Sequence, residues 1–162
     1  MPEGNFWRTE IWHPLSVHFP VALLLIATAT LLVSFFIKTE IRKQWQNAAG
    51  GLLMVGCLSA WLSVYTGNLA DGIVARKICD PTVLKDHQIA ALTMAYLFTI
   101  ASTLIVLSLF FQLKPKWKTG LYLLTLIFML TGSGYLIYAG HTGASLVYQQ
   151  GAGVNNHSVD CN

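Results

Sequence analysis

Four long apolar stretches, separated by short polar segments, dominate the pattern of hydrophobic and polar positions along the chain. The stretch 17–37 is apolar except for His18 near its start, and the stretches 48–70, 88–113 and 119–140 contain no Asp, Glu, Lys or Arg. A helix needs about 20 apolar residues to cross a bilayer core of roughly 30 Å. Because unpaired backbone groups are costly in lipid, each stretch is predicted to be a transmembrane helix.

The composition supports membrane insertion over a water-soluble helical bundle. Hydrophobic residues make up 54% of the chain and charged residues 10%, whereas soluble domains carry about 25% charged residues. The apolar stretches also lack the polar face that a soluble helix turns to water. No basic run with interleaved aromatic residues is present, so nucleic acid is an unsuitable partner. The first 16 residues lack the pattern of a cleavable signal peptide, so the first helix is expected to be retained.

The 162 residues are enough for one domain, and the short connections favour antiparallel neighbours. The predicted fold is therefore an all-α, integral membrane, up-and-down four-helix bundle that forms a single transmembrane domain over residues 1–162. Its helices are predicted at about 16–38, 48–70, 86–113 and 119–141, and a C-terminal tail at 142–162. The tail is uncharged until Asp160 and rich in glycine, which predicts a hinged flap on the outer face.

The distribution of basic residues predicts the orientation of the bundle. The first and third connections hold Lys38, Arg42, Lys43, Lys114, Lys116 and Lys118, whereas the opposite side has Arg8, Arg76, Lys77 and Lys85. Cytoplasmic loops carry an excess of Lys and Arg. We therefore expect a bacterial inner-membrane protein with both termini and the 71–86 loop on the periplasmic side.

All five histidines fall on that same side of the predicted bundle. His18 lies near the start of the first span, His87 opens the third span and His141 closes the fourth. Because neighbouring helices alternate in direction, these three are expected to form a layer at similar depth. His13 is predicted at the rim of this layer, and His157 lies in the tail.

A layer of imidazoles near one membrane face has few common uses. Neutral imidazole is the commonest metal ligand in proteins, and facing histidines in a bundle can ligate haem iron. We expect His18, His87 and His141, with His13 nearby, to hold b-type haem. Bound copper or zinc is an alternative. Histidines that only cap helix ends, with no cofactor, are the other.

The cysteines contribute one further prediction. Cys79 lies in the 71–86 loop and Cys161 in the tail, both on the expected periplasmic side, where a disulfide persists. A Cys79–Cys161 bond would tie the tail over the histidines. Cys57 lies within a span and is expected to be an apolar packing residue.

Two motifs resemble those of a known family. Residues 13–23, HPLSVHFPVAL, resemble an HPxxVHFPxAL signature, and residues 140–154, GHTGASLVYQQGAGV, resemble a GHxGGxLVYxxGxGV signature. Both are typical of a bacterial family of four-helix membrane proteins labelled only as a domain of unknown function. Ala144 departs from the usual second glycine, and Gln150 stands where another histidine is common. The resemblance implies functional weight at His13, His18, His87 and His141. Some members are fused to Rieske or cytochrome domains, which implies redox partners.

Three functions compete. The first is a cytochrome b-like electron-transfer protein or subunit that holds haem near the periplasmic face, in contact with a larger membrane redox complex or a periplasmic cytochrome. The second is a cofactor-free anchor or assembly subunit of a respiratory or redox complex. The third is a protein that handles copper or zinc, which the absence of charges within the spans disfavours. No nucleophile–base pair or nucleotide loop is present, so no independent catalytic site is expected.

Overall fold

The protein is a bundle of α-helices in a computed structural model that describes residues 9–111 and 114–154. The helices are α1 (Thr9–Ser16), α2 (His18–Ser34), α3 (Thr39–Val74), α4 (Pro81–Phe110) and α5 (Pro115–Tyr148). Helices α1 and α2 together form one span, so four helical segments are long and apolar enough to cross a membrane. The predicted all-α, four-helix membrane fold is confirmed.

The first span is interrupted at Val17 without leaving the helical path. The Val17 N–H still donates to the His13 carbonyl at 3.1 Å, and the Val21 N–H donates to the Val17 carbonyl at 3.2 Å. Proline lacks an N–H and crowds the carbonyl four residues before it, which distorts a helix. Pro14 and Pro20 flank Val17 and account for the break between α1 and α2.

Each span extends beyond at least one predicted boundary, although the first ends early, at Ser34, and the third ends early, at Phe110. Helix α3 begins at Thr39 and has 36 residues, a length of about 54 Å at 1.5 Å per residue. It therefore exceeds a hydrocarbon core of roughly 30 Å, and its polar end continues as helix outside that core. Counting apolar residues thus predicted four spans and missed these extensions.

The largest correction concerns residues 142–148, which were predicted as the start of a tail but belong to α5. The helix ends after Tyr148, where Gly151 has a φ of 67° and the Ala152 N–H donates to the Leu146 carbonyl at 2.8 Å. A glycine in this left-handed conformation is a common helix terminator. The terminating glycine is thus Gly151, and Gly143 lies inside the helix.

Helix α4 begins at a well-formed cap. The Asp80 carboxylate accepts hydrogen bonds from the Thr82 N–H at 2.9 Å and the Thr82 hydroxyl at 2.6 Å, and Pro81 occupies the first turn. These bonds, with the hydroxyl contributing most, lower the pKa of Asp80. The cap therefore contributes fully above the ordinary pKa of aspartate and is lost only as pH falls through the lowered value.

The spans form two helical hairpins that contact each other crosswise. In the first hairpin α1 and α2 pack on α3, and in the second α4 packs on α5. Between hairpins, α2 contacts α5 and α3 contacts α4. The first helix of each hairpin thus meets the second helix of the other. This is the arrangement expected of two hairpins that are related by a pseudo-two-fold axis. Both hairpins begin on the same side, so the axis runs along the membrane normal.

The same contacts recur in both hairpins, at a spacing of 74 residues between the two first helices and 76 between the two second helices. Leu24 on α2 packs against Gly56 on α3, and Phe98 on α4 packs against Gly132 on α5. Other buried pairs at these spacings are Ala27 and Ala101, Leu31 and Ile105, Ser34 and Ser108, and Leu53 and Met129. The hairpins are therefore structural repeats, although only half of these six pairs share an amino acid.

Glycine at position 132 is predicted to be required for packing within the second hairpin. A Cβ there would lie 2.9 Å from Cε2 of Phe98, a ring with 0% exposure. Overpacking of this kind costs about 1–3 kcal/mol. Gly132→Ala should therefore lower the thermal unfolding midpoint in detergent.

The matched control is Gly134→Ala, because a Cβ at Gly134 meets no atom within 4 Å. Its midpoint should equal that of the wild type or rise slightly, since alanine favours helix. Equal midpoints for the two variants would contradict the packing assigned to Phe98.

Candidate histidine site

Two histidines from equivalent positions of the two hairpins face each other across the interface. The rings of His13 on α1 and His87 on α4 have centroids 5.9 Å apart and planes at 80°. Both side chains are partly buried. The two-fold arrangement of the hairpins thus brings two imidazoles together from helices that are distant in sequence.

Each imidazole is held by a backbone carbonyl of its own hairpin. Nδ1 of His13 donates to the carbonyl of Ser63 on α3 at 2.9 Å, and Nδ1 of His87 donates to the carbonyl of Ala139 on α5 at 2.9 Å. Because a carbonyl only accepts, Nδ1 carries the hydrogen in both rings. Nε2 of each neutral ring therefore keeps its lone pair.

A Thr-Gly pair receives each histidine on the facing helix. A Cβ at Gly67 would lie 3.1 Å from the His13 ring, and a Cβ at Gly143 would lie 3.2 Å from Cε1 of His87. Glycine thus permits each ring to approach the helix backbone closely. Thr66 and Thr142 precede these glycines.

The two threonines have related hydrogen bonds. The Thr142 hydroxyl donates to the carbonyls of Tyr138 and Ala139, each at 3.1 Å, and its oxygen lies 3.2 Å from Nδ1 of His87. The Thr66 hydroxyl donates to the Ser63 carbonyl at 3.0 Å and lies 2.9 Å from the Ser16 hydroxyl. These contacts fix α1 on α3 and α4 on α5 beside the imidazoles.

A cavity of about 280 Å³ lies between α3 and α4 and is lined by both rings. Its polar wall includes Asn68, Asp71, Lys85 and Gln88. Nε2 of Gln88 donates to a carboxylate oxygen of Asp71 at 2.7 Å. This bond joins α3 and α4 near the histidines, and the cavity gives a ligand access to the imidazole pair.

The other predicted ligands lie elsewhere. His18 and His141 are exposed on the outside of the bundle, and the structure does not bring them together with His87. His18 lies five residues after His13, about 140° around a helix, so the two cannot share a face. His141 directly precedes the buried Thr142, about 100° away around α5, and is exposed. His13, expected at the rim, lies at the centre.

Two predicted residues, His157 and Cys161, fall outside the described residues. The Cys79–Cys161 disulfide therefore stays a prediction, with Cys79 placed just before the cap of α4. Ligand roles for His13, His18, His87 and His141 also stay predictions. Within residues 9–111 and 114–154, no group of three or more His, Cys, Asp and Glu side chains is arranged to hold a metal ion.

Comparison with known proteins identifies the family. Residues 11–156 match the family described as "Predicted membrane protein (DUF2231)". The chain belongs to the DUF2231 family. No curated protein and no solved structure matches it. The family resemblance of the two sequence motifs is thus confirmed, while DUF2231 membership itself assigns no activity.

The two DUF2231 motifs supply one partner of each histidine–glycine contact. The first motif contains His13, and the second contains Thr142 and Gly143. The other partners, His87 and the pair Thr66–Gly67, lie outside both motifs. At the unusual position 150, the Gln150 side-chain oxygen accepts a hydrogen bond from the Asp80 N–H at 3.0 Å, which joins the end of α5 to the start of α4.

Sequence reasoning missed the pairing of His13 with His87, although one signal was available. The sequences Tyr65-Thr66-Gly67 and His141-Thr142-Gly143 repeat the Thr-Gly pair at one end of two spans. This short repeat marks the positions that receive the histidines. It could not be interpreted without knowing that the hairpins are equivalent.

The hydrogen bonds predict the tautomers of the histidines. In the neutral protein, ¹⁵N NMR should show a protonated Nδ1 and an unprotonated Nε2 for His13 and His87. The exposed His18 and His141 have no carbonyl bond of this kind to impose one form, so they serve as internal controls. A protonated Nε2 at His13 or His87 would contradict the assigned bonds to Ser63 and Ala139.

Proposed function

We propose that this protein is a membrane-embedded electron-transfer protein or subunit in which His13 and His87 hold the iron of a b-type haem. The observation that carries the proposal is the pair of facing imidazoles, each with Nδ1 bound to a backbone carbonyl. That bond fixes the ring and leaves Nε2 as the ligand atom. A haem bound there would supply reversible one-electron chemistry.

The surroundings suit an imidazole that acts as a ligand. Metal-ligating histidines almost always donate their second nitrogen to a carbonyl, a carboxylate or water, which orients the ring and raises its basicity. The Ser63 and Ala139 carbonyls do this for His13 and His87 in the same way. His13 and His87 would thus hold the iron through equivalent nitrogen atoms, one from each hairpin.

The separation of the rings agrees with a shared metal ion. Metal–nitrogen bonds of about 2 Å on both sides of one ion put two imidazole centroids roughly 6 Å apart. The observed separation is 5.9 Å. The ring separation is therefore compatible with one ion shared by His13 and His87, with each Nε2 turned toward it.

The small volume of the cavity beside the histidines favours a second candidate function, the binding of a single metal ion. Its volume of about 280 Å³ lies just below the range of roughly 300–1,000 Å³ for ligand sites. A macrocycle therefore requires α3 and α4 to part beside the histidines, whereas a single ion requires no extra room. Imidazole suits copper and zinc, so direct binding of one of these ions is the alternative function.

The protein is embedded in a lipid bilayer. We place it in a bacterial inner membrane with the histidine pair and both termini on the periplasmic side. The basic residues of the opposite connections support this orientation. A histidine pair near the periplasmic face would exchange electrons with a periplasmic cytochrome or with a larger membrane redox complex.

Visible spectroscopy tests the function. Protein expressed with excess haem precursor should show a Soret band that shifts on reduction. His13→Ala and His87→Ala should each abolish the band, because either removes one ligand. His18→Ala and His141→Ala are the matched controls and should keep the full absorbance, since both side chains point outward.

Metal analysis of the same samples distinguishes the alternatives. Stoichiometric copper or zinc that His13→Ala removes, with no Soret band, would favour the second candidate over haem. Neither haem nor metal in the wild-type protein would overturn both and favour a cofactor-free anchor. Loss of the band only in His18→Ala or His141→Ala would contradict the assigned ligands.

Reporter fusions test the orientation. Alkaline phosphatase fused to the C-terminus should be active, because it folds with its disulfides in the periplasm, and green fluorescent protein fused there should be dark. The same reporters fused after Lys38, in the first connection, are the internal control and should give the opposite result. A bright C-terminal fluorescent fusion would reverse the proposed topology.

A further inference from the structure

A second cavity lies deeper in the same seam between α3 and α4. Its volume is about 330 Å³, and its apolar wall includes Met54, Leu58, Val106 and Leu107. Leu58 is 69% exposed, so the cavity opens to the lipid-facing side of the bundle. Cys57 is ten residues before Gly67, which places the cavity roughly 15 Å along α3 from the histidine pair.

The polar groups of this cavity satisfy one another with one exception. The Thr99 hydroxyl donates to the Ala95 carbonyl at 2.7 Å and accepts from Nε1 of Trp61 at 2.9 Å. Sγ of Cys57 lies 3.5 Å from the same hydroxyl, and because Thr99 has already donated its hydrogen, the thiol is the donor. The donors of Cys57, Trp61 and Thr99 are thereby all used.

The exception is Ser102. It lines the cavity, is 7% exposed, and its buried hydroxyl has no hydrogen-bond partner. A buried hydroxyl without a partner costs free energy, which a ligand with an acceptor atom would recover.

In the equivalent seam between α2 and α5, the corresponding hydroxyl has a hydrogen-bond partner on the facing helix. There Thr28, the counterpart of Ser102, lies 3.2 Å from the hydroxyl of Ser133, the counterpart of Cys57. Thr28 itself donates to the Leu24 carbonyl at 2.8 Å, so Ser133 donates to Thr28. In the α3–α4 seam the corresponding pair is Ser102 and Cys57, whose thiol instead bonds to Thr99. This difference leaves the Ser102 oxygen without a donor, and because Ser102, unlike Thr28, makes no bond to its own helix, its hydrogen is free to donate.

We propose that this cavity binds a membrane quinone, with a quinone carbonyl accepting a hydrogen bond from Ser102. A ligand at this depth must be lipid-soluble, and it must carry an acceptor to satisfy the serine. A phospholipid acyl chain meets the first requirement and fails the second. A quinone head group meets both, and its isoprenoid tail remains in the bilayer. Use of the quinone as an electron carrier rests on the proposed function, whereas binding itself does not.

Quenching of tryptophan fluorescence tests the proposal on the full-length protein in nanodiscs. A short-tailed ubiquinone analogue should quench saturably, and Trp61→Phe should remove most of that signal because Trp61 lines the cavity. Ser102→Ala should weaken binding about tenfold, the usual effect of losing one hydrogen bond of roughly 1.4 kcal/mol. Ser102→Thr keeps the hydroxyl and should bind the quinone with the affinity of the wild type.

The matched control is Ser108→Ala. Ser108 is also buried on α4, but its hydroxyl donates to the Ile105 carbonyl of its own helix. This variant should bind the quinone as the wild type does. An alkyl compound with the same tail and no carbonyl should fail to compete.

Three results would overturn the proposal: unsaturable quenching in the wild type, equal affinity in Ser102→Ala, or full competition by the alkyl compound. The His13→Ala and His87→Ala variants should still bind the quinone. Quinone binding in a protein that never shows a Soret band would refute the haem function and leave this site standing. A Soret band without quinone binding would refute the quinone site and leave the haem function standing.

Discussion

Close approach of two helices within each hairpin is the interaction on which the rest of the structure depends. In lipid, helices gain no hydrophobic free energy by associating, so dispersion contacts at small residues must hold them together. Gly56 accepts Leu24 and Gly132 accepts Phe98, and these contacts bring α2 onto α3 and α4 onto α5. The same closeness carries the histidines to the backbone carbonyls further along the helices. Packing and the site are therefore parts of one arrangement.

The repetition of this hairpin explains how a short chain assembles a two-ligand site. One hairpin presents one imidazole, held by one carbonyl and received by one Thr-Gly pair. A second copy on the other side of a two-fold axis presents the other, so that His13 and His87 meet at 5.9 Å. No loop has to position either ligand, because both lie on helices whose own packing orients the ring. Sites on rigid elements are held more accurately than sites on loops.

The two hairpins differ where they meet. The α2–α5 seam is joined by the hydroxyls of Thr28 and Ser133, whereas the α3–α4 seam holds both cavities. Where the first seam has Ser133, the second has Cys57, whose thiol bonds to Thr99, and the Ser102 hydroxyl has no partner. Asymmetry between repeats thus opens one seam toward the lipid. It places an apolar cavity and the histidine cavity along the same pair of helices.

The amino-acid sequence by itself determined the class of protein and the number of spans. Long uncharged stretches have only one stable backbone conformation in a bilayer, so 48–70 and 119–140 had to be helices. The helix ends escaped prediction because polar residues such as those at 39–47 remain helical outside the hydrocarbon core. The helical conformation of residues 142–148 also escaped prediction, because Gly143 inside α5 resembles a helix-terminating glycine until its backbone conformation is known.

The histidine site divides in the same way. The sequence alone placed the histidines on one side of the bundle. Neighbouring helices alternate in direction, so the starts of the first and third spans and the end of the fourth lie at the same face. Which of them face inward depends on helix rotation, and the uniformly apolar spans carry no polar face that reveals it. Only the packing of Gly67 on His13 and of Gly143 on His87 decided that His13 and His87 meet while His18 and His141 face outward.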